Sequence, residues 1–133
     1  MSAKGGRIGP FFAAFGVGAA WLVGRRWLDV VEVHGRSMEP ALSAGDFLLV
    51  ERVTYRRRVP RPGEVVLAAD PRWPERELIK RAVAVRDGGV DLRGDNPAAT
   101  TDSLQFGLVP SEQIEWRAVF CYWPPRRLGR VRR

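Results

Sequence analysis

A chain of 133 residues carrying a formal charge of +7 has room for one ordinary domain and excludes a second large one. Its single cysteine rules out an internal disulfide, and one cysteine with one histidine cannot build the usual zinc site, so no metal and no cofactor is expected. The pI of 10.9 raises nucleic-acid binding, but Arg126, Arg127, Arg130, Arg132 and Arg133 all fall in the last ten residues, and without these five the charge drops to +2.

The first element is Ile8 to Gly24, 17 residues without a charge between Lys4 and Arg7 on one side and Arg25 and Arg26 on the other. As a helix it reaches only about 25 Å against a hydrocarbon core of about 30 Å. Phe11, Phe12, Phe15 and Trp21 favour a membrane, while Pro10 and four glycines weaken an isolated helix. The preferred reading is a single-pass anchor in the plasma membrane, formed by residues 1–29; a secretory leader core and a helix packed on the following domain are its rivals. Two basic residues on each flank leave the sidedness open.

Short Val/Leu/Ile-rich runs broken by Gly, Pro and Asp then follow: Val30–Val33, Phe47–Val53, Glu64–Ala69, Leu78–Val85, Val90–Arg93 and Gln113–Tyr122. They predict a mainly β class, a compact coiled antiparallel sheet or barrel over residues 30–124, with helical turns only at Pro40 to Gly45 and near Trp73. Arg56, Arg57, Arg58 and Arg61 precede Pro62-Gly63 and read as the cap of a hairpin loop. Residues 125–133 form a basic tail, and both clusters are suited to anionic lipid headgroups at about 1 kcal/mol per basic residue.

Two residues carry the chemistry. Lys4 and Lys80 are the only lysines, and Lys80 stands in the apolar run Glu77 to Val85, where Leu78, Ile79, Ala82 and Val83 offer burial. A guanidinium never titrates, whereas a desolvated amine can lose its proton; the required fall of about 3 pKa units costs roughly 4 kcal/mol, within the reach of burial. Ser37 follows a β-like run and precedes a Pro-containing turn, which displays its hydroxyl, and serine with a neutral lysine is a recognised nucleophile and base. His34 lies three residues before Ser37, and on an extended chain the two side chains point apart. Cys121 reads as core.

Gly35-x-Ser37-Met38-x-Pro40, the strand Ile79-Lys80-Arg81 and the segment Gly94-Asp95-Asn96 through Thr100, Asp102 and Ser103 occur in this order, and together they resemble the signal peptidase I (leader peptidase) family over residues 30 to 124. The resemblance implies Ser37 as nucleophile, Lys80 as general base, the backbone N–H of Ser37 as one oxyanion donor, and Thr100 as the hydroxyl that orients the lysine. Gly35 implies an oxyanion held mainly by backbone groups, and Met38 either floors a substrate pocket or packs the turn. Leu104 stands where the family has arginine, which removes the expected partner of Asp102.

The implied activity is a membrane-associated serine endopeptidase that removes an N-terminal leader from a precursor, bound as an extended strand along Val31 to Gly35 and the strand before Lys80. A compact subgroup that matures nickel-type superoxide dismutase is a second reading with the same dyad. A third, of another class, is a non-catalytic basic β-domain on a membrane surface or nucleic acid, although no nucleic-acid partner is expected. Self-cleaving repressors share the dyad, but this chain has no room for their DNA-binding domain.

Overall fold

The computed structural model describes residues 24–99 and 106–132. The third strand explains the architecture. Its residues Val65 to Ala68 are all buried, as expected of a strand covered on both faces. Val65 and Leu67 face one hydrophobic core, with Val33, Met38, Leu48 and Val50, while Val66 and Ala68 face a second, with Ala82, Val90, Leu92 and Ile114. One strand thus forms the shared wall of both cores.

Around it the described residues build one antiparallel sheet from eight strands: β1 (Leu28–Glu32), β2 (Phe47–Glu51), β3 (Val65–Asp70), β4 (Trp73–Arg86), β5 (Gly89–Arg93), β6 (Val109–Pro110), β7 (Trp116–Trp123) and β8 (Gly129–Arg130). The order is β1-β2-β7-β3-β4-β5-β6, with β8 also pairing β7. The mainly β antiparallel expectation is met. The anchor expected at residues 8–24 lies outside the described residues except for Gly24, and no described helix is long and apolar enough to cross a membrane.

β4 is longer than its sequence pattern suggested. The helical turn expected near Trp73 is overturned, because Trp73 opens this strand: Asp70 accepts the Arg72 backbone N–H at 2.9 Å and pairs with Trp73 across a tight Pro71-Arg72 turn. The local signals for a turn were real, but the turn belongs to a hairpin. β4 then serves two neighbours in succession, β3 from Trp73 to Arg81 and β5 from Arg81 to Arg86. Val83 alternates to the face opposite Lys80 and is 38% exposed, so it does not help bury Lys80 as expected.

This topology leaves two edges near one another in the site. Among the described residues β1 pairs only β2, and the Trp73–Lys80 half of β4 pairs only β3.

Candidate active site

Ser37 sits in the connection between β1 and β2. The neck of that connection is closed by Val33 N–H to Asp46 O at 2.8 Å and Gly45 N–H to Val33 O at 2.9 Å. Gly35 turns the chain away from β1 with φ of +80°, a left-handed conformation that side chains with a Cβ rarely adopt. After Ser37, Met38 drops into the first core and its carbonyl accepts the Leu42 N–H at 2.9 Å, so the Pro40 turn is pinned from below by packing. Met38 packs the turn against the first core and also lines the cleft beside Ser37.

Lys80 lies on β4, opposite Val66 of β3. Leu78, Lys80 and Ala82 alternate to the buried side of the strand, and Lys80 is only 3% exposed. Ile79 points to the other face and packs against the first core. Ser37 and Lys80 meet at a cleft of about 300 Å³, whose walls are the exit of β1, Val31 to Met38, and the first half of β4, Arg76 to Lys80. His34 is on the rim, with an 80% exposed side chain and its Nε2 4.0 Å from Glu32 Oε2.

The third motif joins the other two. Asn96 donates its backbone N–H to Ser37 O at 2.9 Å and its side-chain Nδ2 to Arg36 O at 3.1 Å. Its Oδ1 accepts the Ala98 N–H at 3.2 Å, which folds the Pro97–Ala99 turn, and Ala99 reaches the cleft. Asp95, one residue earlier, takes the Arg81 guanidinium in two bonds, Nε to Oδ1 at 2.8 Å and Nη2 to Oδ2 at 2.7 Å. Those bonds hold Arg81 yet more firmly protonated, against the opposing effect of its partial burial. Gly94 leads into this motif from the end of β5. Thr100, Asp102 and Ser103 lie outside the described residues.

A second polar centre, absent from the sequence reading, gathers around Glu64, whose backbone carbonyl accepts the Ala82 N–H of β4 at 2.8 Å. Glu64, with its side chain wholly buried, receives Arg58 at 2.6 and 3.1 Å, the Tyr55 hydroxyl at 3.0 Å and the Arg61 N–H at 3.0 Å, with Arg117 Nε 3.4 Å away. Burial pushes the Glu64 carboxyl upward, but its Arg58, Arg61 and Tyr55 hydrogen bonds overcome this and hold it at about 2. Burial, then the Glu64 charge, pushes the Tyr55 phenol far above its ordinary range. Of the four arginines expected to cap the hairpin loop, Arg58 is half-buried against Glu64, and Arg56 stacks over Trp27 at 4.3 Å.

The model for the family "Signal peptidase, peptidase S26" matches residues 9–90, a segment that contains both Ser37 and Lys80. The chain belongs to the signal peptidase family. Its relatives include the mitochondrial ATP-independent inner membrane protease subunit 1a of Arabidopsis thaliana, 35% identical over 128 residues that cover 79% of this chain and 76% of the relative. The mitochondrial inner membrane protease subunit 2 of Danio rerio is 28% identical, over 93% of this chain and 79% of its own. Subunit 1 of Homo sapiens is also 28% identical, with 77% and 74% covered. This signal peptidase family member is thus a peptidase-family β domain, and the names of these relatives are those of inner membrane proteases.

Proposed function

We propose that this chain is a serine endopeptidase that removes a leader from a precursor protein, with Ser37 as nucleophile and Lys80 as general base. The observation that carries the reading is that Ser37 and the deeply buried Lys80 border one cleft. Burial disfavours a charged ammonium, which is the condition for an amine to accept the serine proton. Lys80 Nζ takes the proton from Ser37 Oγ as Oγ attacks the scissile carbonyl carbon. The oxyanion is received by backbone donors, the Ser37 N–H among them, an arrangement favoured by glycine at position 35. Lys80 then returns the proton to the leaving amine, and the acyl group stays on Ser37 as an ester. A water then attacks that ester as it gives a proton to Lys80, and Lys80 passes this proton to the departing Ser37 Oγ, which releases the acid product and restores the free enzyme. Thr100 is assigned to orienting the lysine amine, and a Thr100→Val chain is expected to cut at an intermediate rate.

The precursor lies in the cleft as an extended strand between the open edges of β1 and the first half of β4, where its backbone can pair and alternate side chains enter shallow pockets. The membrane anchor is assigned to the part of residues 1–29 that precedes Leu28, because Leu28 and Asp29 already pair with β2 in β1; residues 30–124 continue the peptidase domain and 125–133 form the basic end. The relatives' names speak for a membrane enzyme but lend nothing to the plasma membrane expected from sequence.

The test uses detergent-solubilised full chain beside Ser37→Ala, offered an exported precursor, an inner-membrane precursor and the precursor of nickel-type superoxide dismutase. A cut made by the wild type and lost in Ser37→Ala supports the mechanism, and the precursor that is cut names the process. Identical behaviour of the two proteins on all three would defeat it in favour of a binding role.

A further inference from the structure

We propose that the C-terminal segment Pro125–Arg132 is a strap that positions the Ser37/Lys80 pair, with Arg127 as its positioning residue, an inference that rests on the peptidase reading above. The Arg127 guanidinium donates Nε to Asp46 Oδ2 at 2.9 Å and Nη2 to the carbonyls of Ala41 at 3.0 Å and Pro40 at 3.3 Å. Asp46 is 2% exposed, and the same Oδ2 accepts the Ser43 N–H at 2.9 Å. One side chain therefore ties together both ends of the turn that follows Ser37. A planar guanidinium presents its donors in a fixed fork, so a single point charge cannot reproduce the arrangement.

The strap has its own footing on the sheet. β8 pairs with Phe120 and Cys121, and Val131 N–H reaches Val119 O at 3.1 Å. At its far end the Arg132 carbonyl accepts Arg81 Nη1 at 2.8 Å, beside Lys80 in the chain. One segment thus touches the serine turn at Arg127 and the lysine strand at Arg132. Between strap and turn runs a cleft of about 460 Å³, and the Arg127 side chain is 32% exposed. Contact is made by the polar fork more than by packing, so shortening Arg127 loosens the turn without hollowing a core. The family match ends at residue 90, well before this segment.

Proton transfer from Ser37 needs the base within hydrogen-bond reach, and a displacement of about 1 Å can cost about a hundredfold in rate. The experiment compares wild type, Ser37→Ala, Arg127→Ala and Arg127→Lys as full chains in detergent. It measures kcat and KM on the precursor that the wild type cuts, and amide hydrogen exchange over residues 36–42. In Arg127→Ala we expect kcat to fall about tenfold to a hundredfold while KM stays within about twofold. Exchange over residues 36–42 accelerates, that of β3 does not, and Arg127→Lys recovers only part of each effect.

Wild-type exchange in Arg127→Ala overturns the strap whatever the activity, and so does a wild-type kcat. A loss confined to KM overturns it as well. Should Arg127→Ala fail to fold, Arg127→Lys carries both readouts. A wild type no better than Ser37→Ala defeats the peptidase reading instead, and the exchange result still decides the strap.

Discussion

Arg81 and Asp95 meet as two forks, with bonds of 2.8 and 2.7 Å, immediately after buried Lys80 in the chain. Asn96, the next residue after Asp95, grips the backbone of Arg36 and Ser37. A dipeptide of the third motif therefore couples the strand that carries the proposed base to the turn that carries the proposed nucleophile. The coupling is charge-assisted on one side and backbone-directed on the other, and the two sides can be tested separately.

Removing the carboxylate should be felt in both stability and rate. The two side chains are only 17% and 20% exposed, so Asp95→Ala leaves a largely buried guanidinium with Gly63 O and Arg132 O but without its counter-charge. A loss of about 2 kcal/mol is expected from the urea midpoint, with a slower cut below the melting range. An unchanged midpoint would show that solvent already screens the pair.

Asn96→Ala should act on rate more than on fold. It deletes the Nδ2 bond to Arg36 O and the Oδ1 bond that shapes Pro97–Ala99, but keeps the backbone bond to Ser37 O. We expect kcat to fall about tenfold with little change in KM, read from steady-state cleavage of a precursor peptide. An effect on KM alone would place Asn96 in substrate binding.

Lys80→Met keeps a straight side chain of similar length on the buried face of β4 and removes the amine. The fold should persist, by far-ultraviolet circular dichroism, while cleavage falls by at least about a thousandfold. Substantial activity in the folded variant would assign the base elsewhere, with exposed His34 on the rim the next residue to test.

Glu64 makes stability depend on acid. Its folded carboxyl is held at about 2 against an ordinary 4.5, so the charged form is favoured by the fold. The resulting stabilisation is complete above pH about 4.5 and drains away as the pH falls toward about 2, an amount on the order of 3 kcal/mol. Denaturant titrations between those two pH values should show this slope in wild type and a much flatter one in Glu64→Gln. Equal slopes would move the acid sensitivity to other carboxylates.

Much of this was legible locally. The Phe47-Leu-Leu-Val-Glu51 alternation gives a half-buried strand, and the runs at Val65 and Val90 form strands within a residue or two of their expected bounds. β6 and β8 escaped notice because two-residue pairings leave no periodicity to read. Trp73 misled for a related reason: Pro and Asp mark a turn, but only the partner strand decides whether it closes a hairpin or starts a helix.

The arginines show the same boundary. Four between Arg56 and Arg61 look alike in sequence, yet Arg58 puts its guanidinium on Glu64 while Arg56 lies over Trp27. The basic end read as a tail suited to lipid headgroups, yet Arg127 reaches Asp46 across 81 residues of chain.

By itself the sequence determined the β class, the displayed serine in its glycine and proline turn, and the isolated lysine in an apolar strand, since each follows from a residue's own backbone preferences and its immediate neighbours. Only the tertiary structure decided that Ser37 and Lys80 border one cleft, that Asp95 and Asn96 tie their two segments together, that Arg127 reaches the turn after Ser37, that β3 is the wall of two cores, and which cation meets which carboxylate. Those outcomes depend on register and on contacts between distant segments, where burial and hydrogen-bond geometry act between groups that share no local pattern.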